Sequence, residues 1–299
     1  MRVAVTGSTG LLGSRLTADL EGDGHEVVRV VRPGSRSTEG ATVRWDPAAG
    51  TIDAAALEGV DAVVHLAGEG IAEKRWSTEQ KQRIVDSRRQ GTTLLAETLA
   101  GLDRKPAVLL SASGMDYYPD SEEPVTEESA PGDGFLADLC QMWEGATAPA
   151  ADAGIRTALL RTTIVLDAEG GALAKMLPLF KFGVGGRMGN GRQWWSWIAV
   201  GDWVGAARFL LDHDVAGPVN LGSPEPVTNT EFTKVLGRVL HRPTVLAVPA
   251  FGPKLLLGAE LATNLLQTSH RVVPAVLERE GYRFRHPELA SAFRAVLGR

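Results

Sequence analysis

An α/β fold, a doubly wound parallel sheet carrying a smaller and mainly helical C-terminal cap, is predicted by three features of the 299-residue chain. Short apolar runs alternate with longer segments of helical period across residues 1–165. A glycine-rich turn joins the first apolar run to the first helical segment. Past residue 165 the tempo changes and helical segments dominate. Strand and helix in alternation demand crossover connections, and crossovers make neighbouring strands parallel.

The strands read in order as "RVAVTG", "EVVRVVR", "TVRW", "DAVVHLAG", "AVLLSAS" and "RTALLRTTIVL". Several are too continuously apolar to leave one face in water, the pattern of strands covered on both sides. Between them lie "GLLGSRLTADLEGDG", "TEQKQRIVDSRRQGTTLLAETLAGL" and "GFLADLCQMWEGATAPAADAG", with apolar residues three and four apart. Each closes in or just before a glycine or aspartate cluster. From Gly183 to Asp202 the text "GVGGRMGNGRQWWSWIAVGD" predicts a loop and then a strand. Helices follow in "WVGAARFLLDHD", "TNTEFTKVLGRVL", "FGPKLLLGAELATNLLQ" and "PELASAFRAVL". Residues 1–165, with a return around 195–222, are expected to form a nucleotide-binding half, and residues 166–299 are expected to be mainly cap.

Composition narrows the function. The apolar fraction of 44% suits a folded core, and a net charge of −5 argues against a general binder of nucleic acid or anionic membrane. Cys140 is the only cysteine, so no internal disulfide forms. His25, His65, His213, His241, His270 and His286 lie far apart with no acid in ligand spacing, and no metal is expected. Glycines enter too early for a signal peptide's apolar core, and no apolar stretch spans a bilayer. The expectation is a cytoplasmic monomer or homodimer that takes a small-molecule substrate, without nucleic-acid or membrane partners.

"VAVTGSTGLLGSRL" sets Gly7, Gly10 and Gly13 between the first strand and first helix, with Thr9, Leu11 and Leu12 on the same turn. Gly7 permits the tight turn, Gly10 the approach of a pyrophosphate, and Gly13 the packing of helix on strand. The helix N-terminus then offers unpaired amides to the anion. An NAD site usually places a carboxylate at the end of the second strand. That strand instead runs into "VVRPGSR", with Arg32 and Arg36. Guanidinium groups accept a 2′-phosphate, so NADP(H) is the expected cofactor.

With "VTGSTGLLG", "VVHLAGEG", "LLSASGMDYY" and "LRTTIVL" in view, the chain resembles the extended short-chain dehydrogenase/reductases. It is most similar to their atypical epimerase-like subfamily, which ends in a small C-terminal domain of unknown function. The likeness runs nearly end to end, through "WDP" at Trp45–Pro47, "RWSTEQKQRIVDSR" at Arg75–Arg88, "MWEG" around Glu144, "GRQWWSWIAVGD" at Gly191–Asp202, "SHRVVP" and "GYRFRHPELASAF". The resemblance implies a Rossmann-like fold with NADP(H). It implies that the turn of Leu66, Ala67 and Gly68 passes the cofactor, and that Ser113 stands where the superfamily's serine holds the substrate oxygen. The superfamily's Tyr-x-x-x-Lys pair falls on Leu136 and Cys140, with Glu144 anchoring the same helix. The subfamily also tends to lack that pair. "GMDYYP" departs locally, with Asp116 and Pro119 where relatives carry smaller residues or glycine.

Leu136 cannot move a proton. Cys140, flanked by Leu139 and Met142 without a cationic neighbour in sequence, reads as a buried cysteine beside the cofactor rather than as an acid. Tyr117 and Tyr118, with Asp116 beside them, are the candidate replacement acids on the loop after Ser113. Arg75 and Trp76, close to Lys74 and Lys81, are candidate substrate contacts. So are Arg192, Gln193 and Trp197, because arginine beside aromatic surface suits an acidic or planar ligand. Arg88 is expected either to pair with an acid in the core or to belong to the site. Two functions stay open: an NADP(H)-dependent oxidoreductase or epimerase acting on a carbonyl or sugar-like substrate, and a non-catalytic NADP(H)-binding redox sensor or scaffold.

Overall fold

The computed structural model describes residues 1–35, 40–248 and 258–299. Arg36 and the front of the "FGPKLLLGAELATNLLQ" segment lie outside the described residues. The main sheet takes β1 (Arg2–Thr6), β2 (Glu26–Val31), β3 (Ala41–Asp46), β4 (Thr51–Ile52), β5 (Ala62–His65), β6 (Val108–Gly114), β7 (Arg156–Thr162) and β8 (Gly217–Leu221). Their spatial order is β8-β7-β6-β5-β1-β2-β3-β4. Every neighbouring pair is parallel except β3 with β4, which is antiparallel. The chain winds outward from β1, then returns to lay β5 against its other side. That reversal opens a crevice at the carboxyl ends of β1 and β5, the usual ligand position in a Rossmann-like sheet.

Both faces of the sheet are covered, as the continuous apolar runs require. One face packs on α1 (Leu11–Gly22) through Leu16 and Leu20, and on a helix at Val200–Asp212 through Trp203 and Leu210. The other meets α2 (Thr78–Gly101) through Leu95 and Leu99, with Trp45 and Ile155 completing that layer. Ser77 caps α2, its hydroxyl accepting from the amide of Gln80 at 3.2 Å. A third core lies in the cap, where Trp197, Phe232, Phe293 and Leu177 meet. No helix among the described residues is long and apolar enough to cross a membrane.

Three local features depart from the sequence reading, each for a physical reason. The run Arg156–Leu166 is two strands. The amide and hydroxyl of Thr163 both bond to the Leu221 carbonyl, and Ile164–Leu166 then leaves the main sheet to pair with Trp197–Ala199. The helical segment after Gly134 is α3 (Phe135–Gly145) followed by a separate turn at Ala148–Asp152, with a proline in its first turn. Ser121–Val125, too polar to read as a strand, pairs with His270–Val272 in a four-stranded cap sheet. The cap is thus helical with small sheets laid into it.

One buried polar strut ties these layers together. Arg161 of β7 meets Glu144 of α3 through two bonds of 2.8 Å. The two side chains are 4% and 9% exposed, so neither charge is solvated. Arg161 also donates to the Tyr118 oxygen at 3.0 Å, and the Tyr118 hydroxyl donates to Asn220 of β8 at 2.7 Å. Burial opposes the charged form of Arg161, but the Glu144 carboxylate and the Tyr118 oxygen outweigh it and hold the guanidinium above its ordinary value. Removing one partner leaves the other charge buried and uncompensated. Arg161→Met should therefore cost about 3–5 kcal/mol in urea unfolding. A midpoint unchanged from wild type would show that the strut contributes nothing.

Candidate functional site

The crevice is built around contacts in which a side chain would not fit. Gly7 has φ 66°, and a Cβ there would stand 2.9 Å from the carbonyl carbon and oxygen of Leu66. A Cβ on Gly13 would lie 2.1 Å from the Gly7 oxygen. The glycine turn therefore touches both its own helix and the Leu66–Gly68 turn. The Thr6 hydroxyl accepts from the amides of Leu66 and Ala67 at 3.0 and 3.1 Å, which commits its proton to Nδ1 of His65 at 2.8 Å. His65 then carries its own proton on Nε2 and donates to Thr92 at 2.9 Å. Burial, helped by the nearby Arg88 charge, pushes His65 down to about 4, so it stays neutral and acts as a pin.

At the mouth of this turn α1 begins with Gly10 as its N-cap and no side chain capping it. Its first amides face outward at the positive end of the helix. Thr9 and Gly10 are exposed there, while Leu11 and Leu12 are half-buried. Arg32 is exposed directly after β2, in a turn closed by the Ser35 amide on the Arg32 carbonyl at 3.1 Å.

The second wall is formed by the end of β6 and by α3. Ser113 donates to Glu144 at 2.7 Å, so its oxygen faces any further partner as an acceptor unless the hydroxyl turns. Cys140 is buried, with its thiol 3.7 Å from the Gly114 carbonyl. A Cβ on Gly114 would lie 3.6 Å from both Cys140 Sγ and Asp116 Oδ2, which places thiol and carboxyl in one corner. Burial, reinforced by Asp116, pushes Cys140 up to about 12, and it remains a thiol near neutrality. Leu136 is buried against Ile84 and Leu139. Asp116 is half-buried, its carboxyl turned toward the Cys140 thiol. Burial raises its pKa, and the neighbouring His270 works in the opposite direction.

The adjacent tyrosines have different surroundings. Tyr118 is 2% exposed, and burial pushes its phenol up to about 12 while Asn220 and Arg161 occupy its oxygen. Tyr117 is half-buried, its ring 3.4 Å from the Arg161 guanidinium carbon. The strut thus engages one tyrosine by its hydroxyl and the other by its face.

Residues expected on the substrate side divide between two places. Trp76 donates to the Ile71 carbonyl at 2.9 Å and packs edge-on against Phe135. Lys81 lies over both rings and bonds Glu260 of the helix at Ala259–Leu266. Arg75 is exposed nearby, its stem 4.0 Å from the Cβ position of Gly258. Arg192 is exposed in the cap, whereas Gln193 donates to the carbonyls of Met188 and Leu266 and is 9% exposed. Trp197 reaches no open surface, and its indole donates to the Glu225 carbonyl at 3.1 Å. Those two cap side chains are committed to packing in this conformation.

Among the described residues Arg88 forms no ion pair with an acid, contrary to one reading of the sequence. Its guanidinium bonds backbone carbonyls instead, at Glu69 and Ile84, because the neighbouring carboxylate of Glu69 turns toward Gln80. Among the described residues no group of three or more His, Cys, Asp or Glu is arranged to hold a metal.

Known proteins match this architecture from end to end. A family model described as the NAD dependent epimerase/dehydratase family matches residues 3–222, and one described as a domain of unknown function, DUF1731, matches residues 248–296. An epimerase family protein of Mycobacterium leprae is 44% identical over 97% of this chain and 94% of its own length. The crystal structure of human epimerase family protein SDR39U1 (isoform 2) with NADPH aligns at a TM-score of 0.90 and 32% identity, covering 100% of this chain and 99% of that one. A nucleoside-diphosphate sugar epimerase from Corynebacterium glutamicum aligns at 0.79 and 37% identity, all of this chain matching 58% of that one. With its glycine turn, its sheet order and a family match over most of its length, the chain belongs to the NAD dependent epimerase/dehydratase family.

Proposed function

We propose that this protein is an NADP(H)-dependent oxidoreductase acting on a small carbonyl or sugar-like substrate, with Asp116 as the group that handles the proton. The similarity to a human protein crystallised with NADPH supports the cofactor, as do the uncapped start of α1 and the position of Arg32. The observation that carries the chemistry is the Asp116 carboxyl beside Cys140 and Gly114, at the carboxyl end of β6, where burial favours its neutral form. Bound NADPH supplies a hydride. A carbonyl reduced by it also needs a proton on oxygen. A carboxyl whose neutral form is favoured by burial can give that proton, as a lone solvated aspartate cannot near neutrality. Ser113, its proton given to Glu144, orients rather than acidifies. Tyr117, stacked on Arg161, bounds the corner, and Tyr118 holds the strut.

The sign of the pH dependence follows from the raised Asp116 value. The acid form is the working form, so reduction should slow as pH rises through that value, and this limb should vanish in Asp116→Asn. The variant should lose about 10²–10⁴-fold in turnover, the usual worth of general acid catalysis. The primary test supplies NADPH deuterated at C4 with fractionated metabolites and looks for label in a product by mass spectrometry. Deuterium that never leaves the cofactor, whatever the substrate pool, would contradict hydride transfer to substrate.

Arg32 is assigned the 2′-phosphate. Arg32→Ala should weaken NADPH about tenfold, the loss of one charge-assisted contact, while leaving NADH affinity nearly unchanged. Equal losses for both cofactors in a titration would remove that assignment.

A further inference from the structure

Buried arginines ordinarily face a carboxylate, as Arg161 faces Glu144. Arg88 has none. The residue is 8% exposed, and its guanidinium lies 4.5 Å from the centroid of the Trp143 ring. Nη1 donates to the carbonyls of Glu69 and Ile84 at 2.9 and 3.2 Å. Nε has no hydrogen-bond partner, and neither does the indole Nε1 of Trp143 stacked beside it. Two unmet N–H donors in one stacked pair, beside a guanidinium bonded to no carboxylate among the described residues, are costly to leave buried unless something arrives to meet them.

The position of the pair says what that is. The Arg88 guanidinium carbon lies 3.3 Å from where a Cβ on Gly68 would stand, and Gly68 is exposed. Only a residue without a side chain separates this guanidinium from the crevice. The same turn touches the glycine loop through Leu66, so Arg88 lies under the ledge that faces the start of α1. On its other side Arg88 lies close enough to Cys140 for the two to influence each other electrostatically. Cys140 is where the resemblance puts the lysine that holds the nicotinamide ribose. The cation missing from α3 is therefore present in the same corner, contributed by α2.

Building on the NADP(H) reading above, we propose that Arg88 is a positioning residue for the nicotinamide half of the cofactor, its unmet N–H groups donating to the hydroxyl oxygens of the adjoining ribose. Trp143 covers one face of the guanidinium and the backbone carbonyls hold one edge of it, leaving the other edge for the ligand. Gly68 keeps the approach open. Arg88 thereby takes over the ribose-holding part of the missing lysine's work, while proton handling rests with Asp116.

The test separates the two halves of the cofactor. Full-length wild type, Arg88→Gln, Arg88→Lys and Arg88→Met are titrated with NADPH, followed by nicotinamide fluorescence, and with 2′,5′-ADP, which carries the adenosine half and lacks the nicotinamide ribose. Melting curves identify the variants that fold, and the ratio of the two affinities is read on those. Arg88→Gln and Arg88→Met should weaken NADPH about tenfold, the value of one charge-assisted hydrogen bond, and leave 2′,5′-ADP unchanged. Arg88→Lys should recover most of the loss. Variants that bind NADPH as wild type does, or that lose both ligands equally, would overturn the assignment and leave Arg88 a packing residue. Wild type that binds neither ligand would overturn the cofactor reading as well, an outcome distinct from the other two.

Discussion

The buried pair of Glu144 and Arg161 is the interaction on which the rest of this site depends. It joins α3 to β7 across the carboxyl end of the sheet, with neither side chain in water. Ser113 donates to one member, Tyr117 stacks on the other, and Tyr118 extends the network to Asn220 on the far strand. Glu127 extends it, taking the amides of Asn220 and Val276 on one carboxylate oxygen while its other oxygen has no partner. A network of this kind is stable only when nearly every member is satisfied, since each unpaired charge would be stranded in low dielectric. It leaves little freedom to the loop from Ser113 to Tyr118. That rigidity holds Asp116 in its corner without a bond of its own to the strut.

The helix that lacks the usual tyrosine and lysine is thus still anchored. Leu136 and Cys140 fill with apolar contacts the space where proton handling is expected. The anchoring carboxylate further along α3 is kept. On the other side of the crevice, the close contacts of Gly7 and Gly13 preserve the shape of the glycine turn. One wall of the site is conventional and the other is rebuilt. The two groups assigned here to the rebuilt wall, Asp116 and Arg88, come from the β6 loop and from α2.

What the sequence discloses tracks how local each constraint is. The glycine turn was legible because a Cβ clash depends on a few neighbouring residues, and the sheet because continuous apolar runs have few other uses. The strand at Ser121–Val125 was illegible, since Glu122 and Glu123 face solvent and its pairing partner lies in the cap. Tyr117 and Tyr118 looked equivalent in one dimension. The short helical turn at Met115–Tyr117 separates them, sending one hydroxyl into the core. Arg88 could be placed on an inward helix face by its spacing, but whether an acid waited opposite depended on where Glu69 turned. Gln193 and Trp197 carried the right chemistry for a ligand, yet their partners, the Leu266 and Glu225 carbonyls, are distant in sequence and left no trace there.

The most direct test of this account is a crystal structure of the protein soaked with NADPH. The pyrophosphate should lie at the start of α1, the nicotinamide ribose within hydrogen-bond reach of Arg88, and the ring turned toward the corner of Ser113 and Asp116. A well-ordered cofactor whose nicotinamide half points out of the crevice, leaving Arg88 and Asp116 untouched, would contradict it.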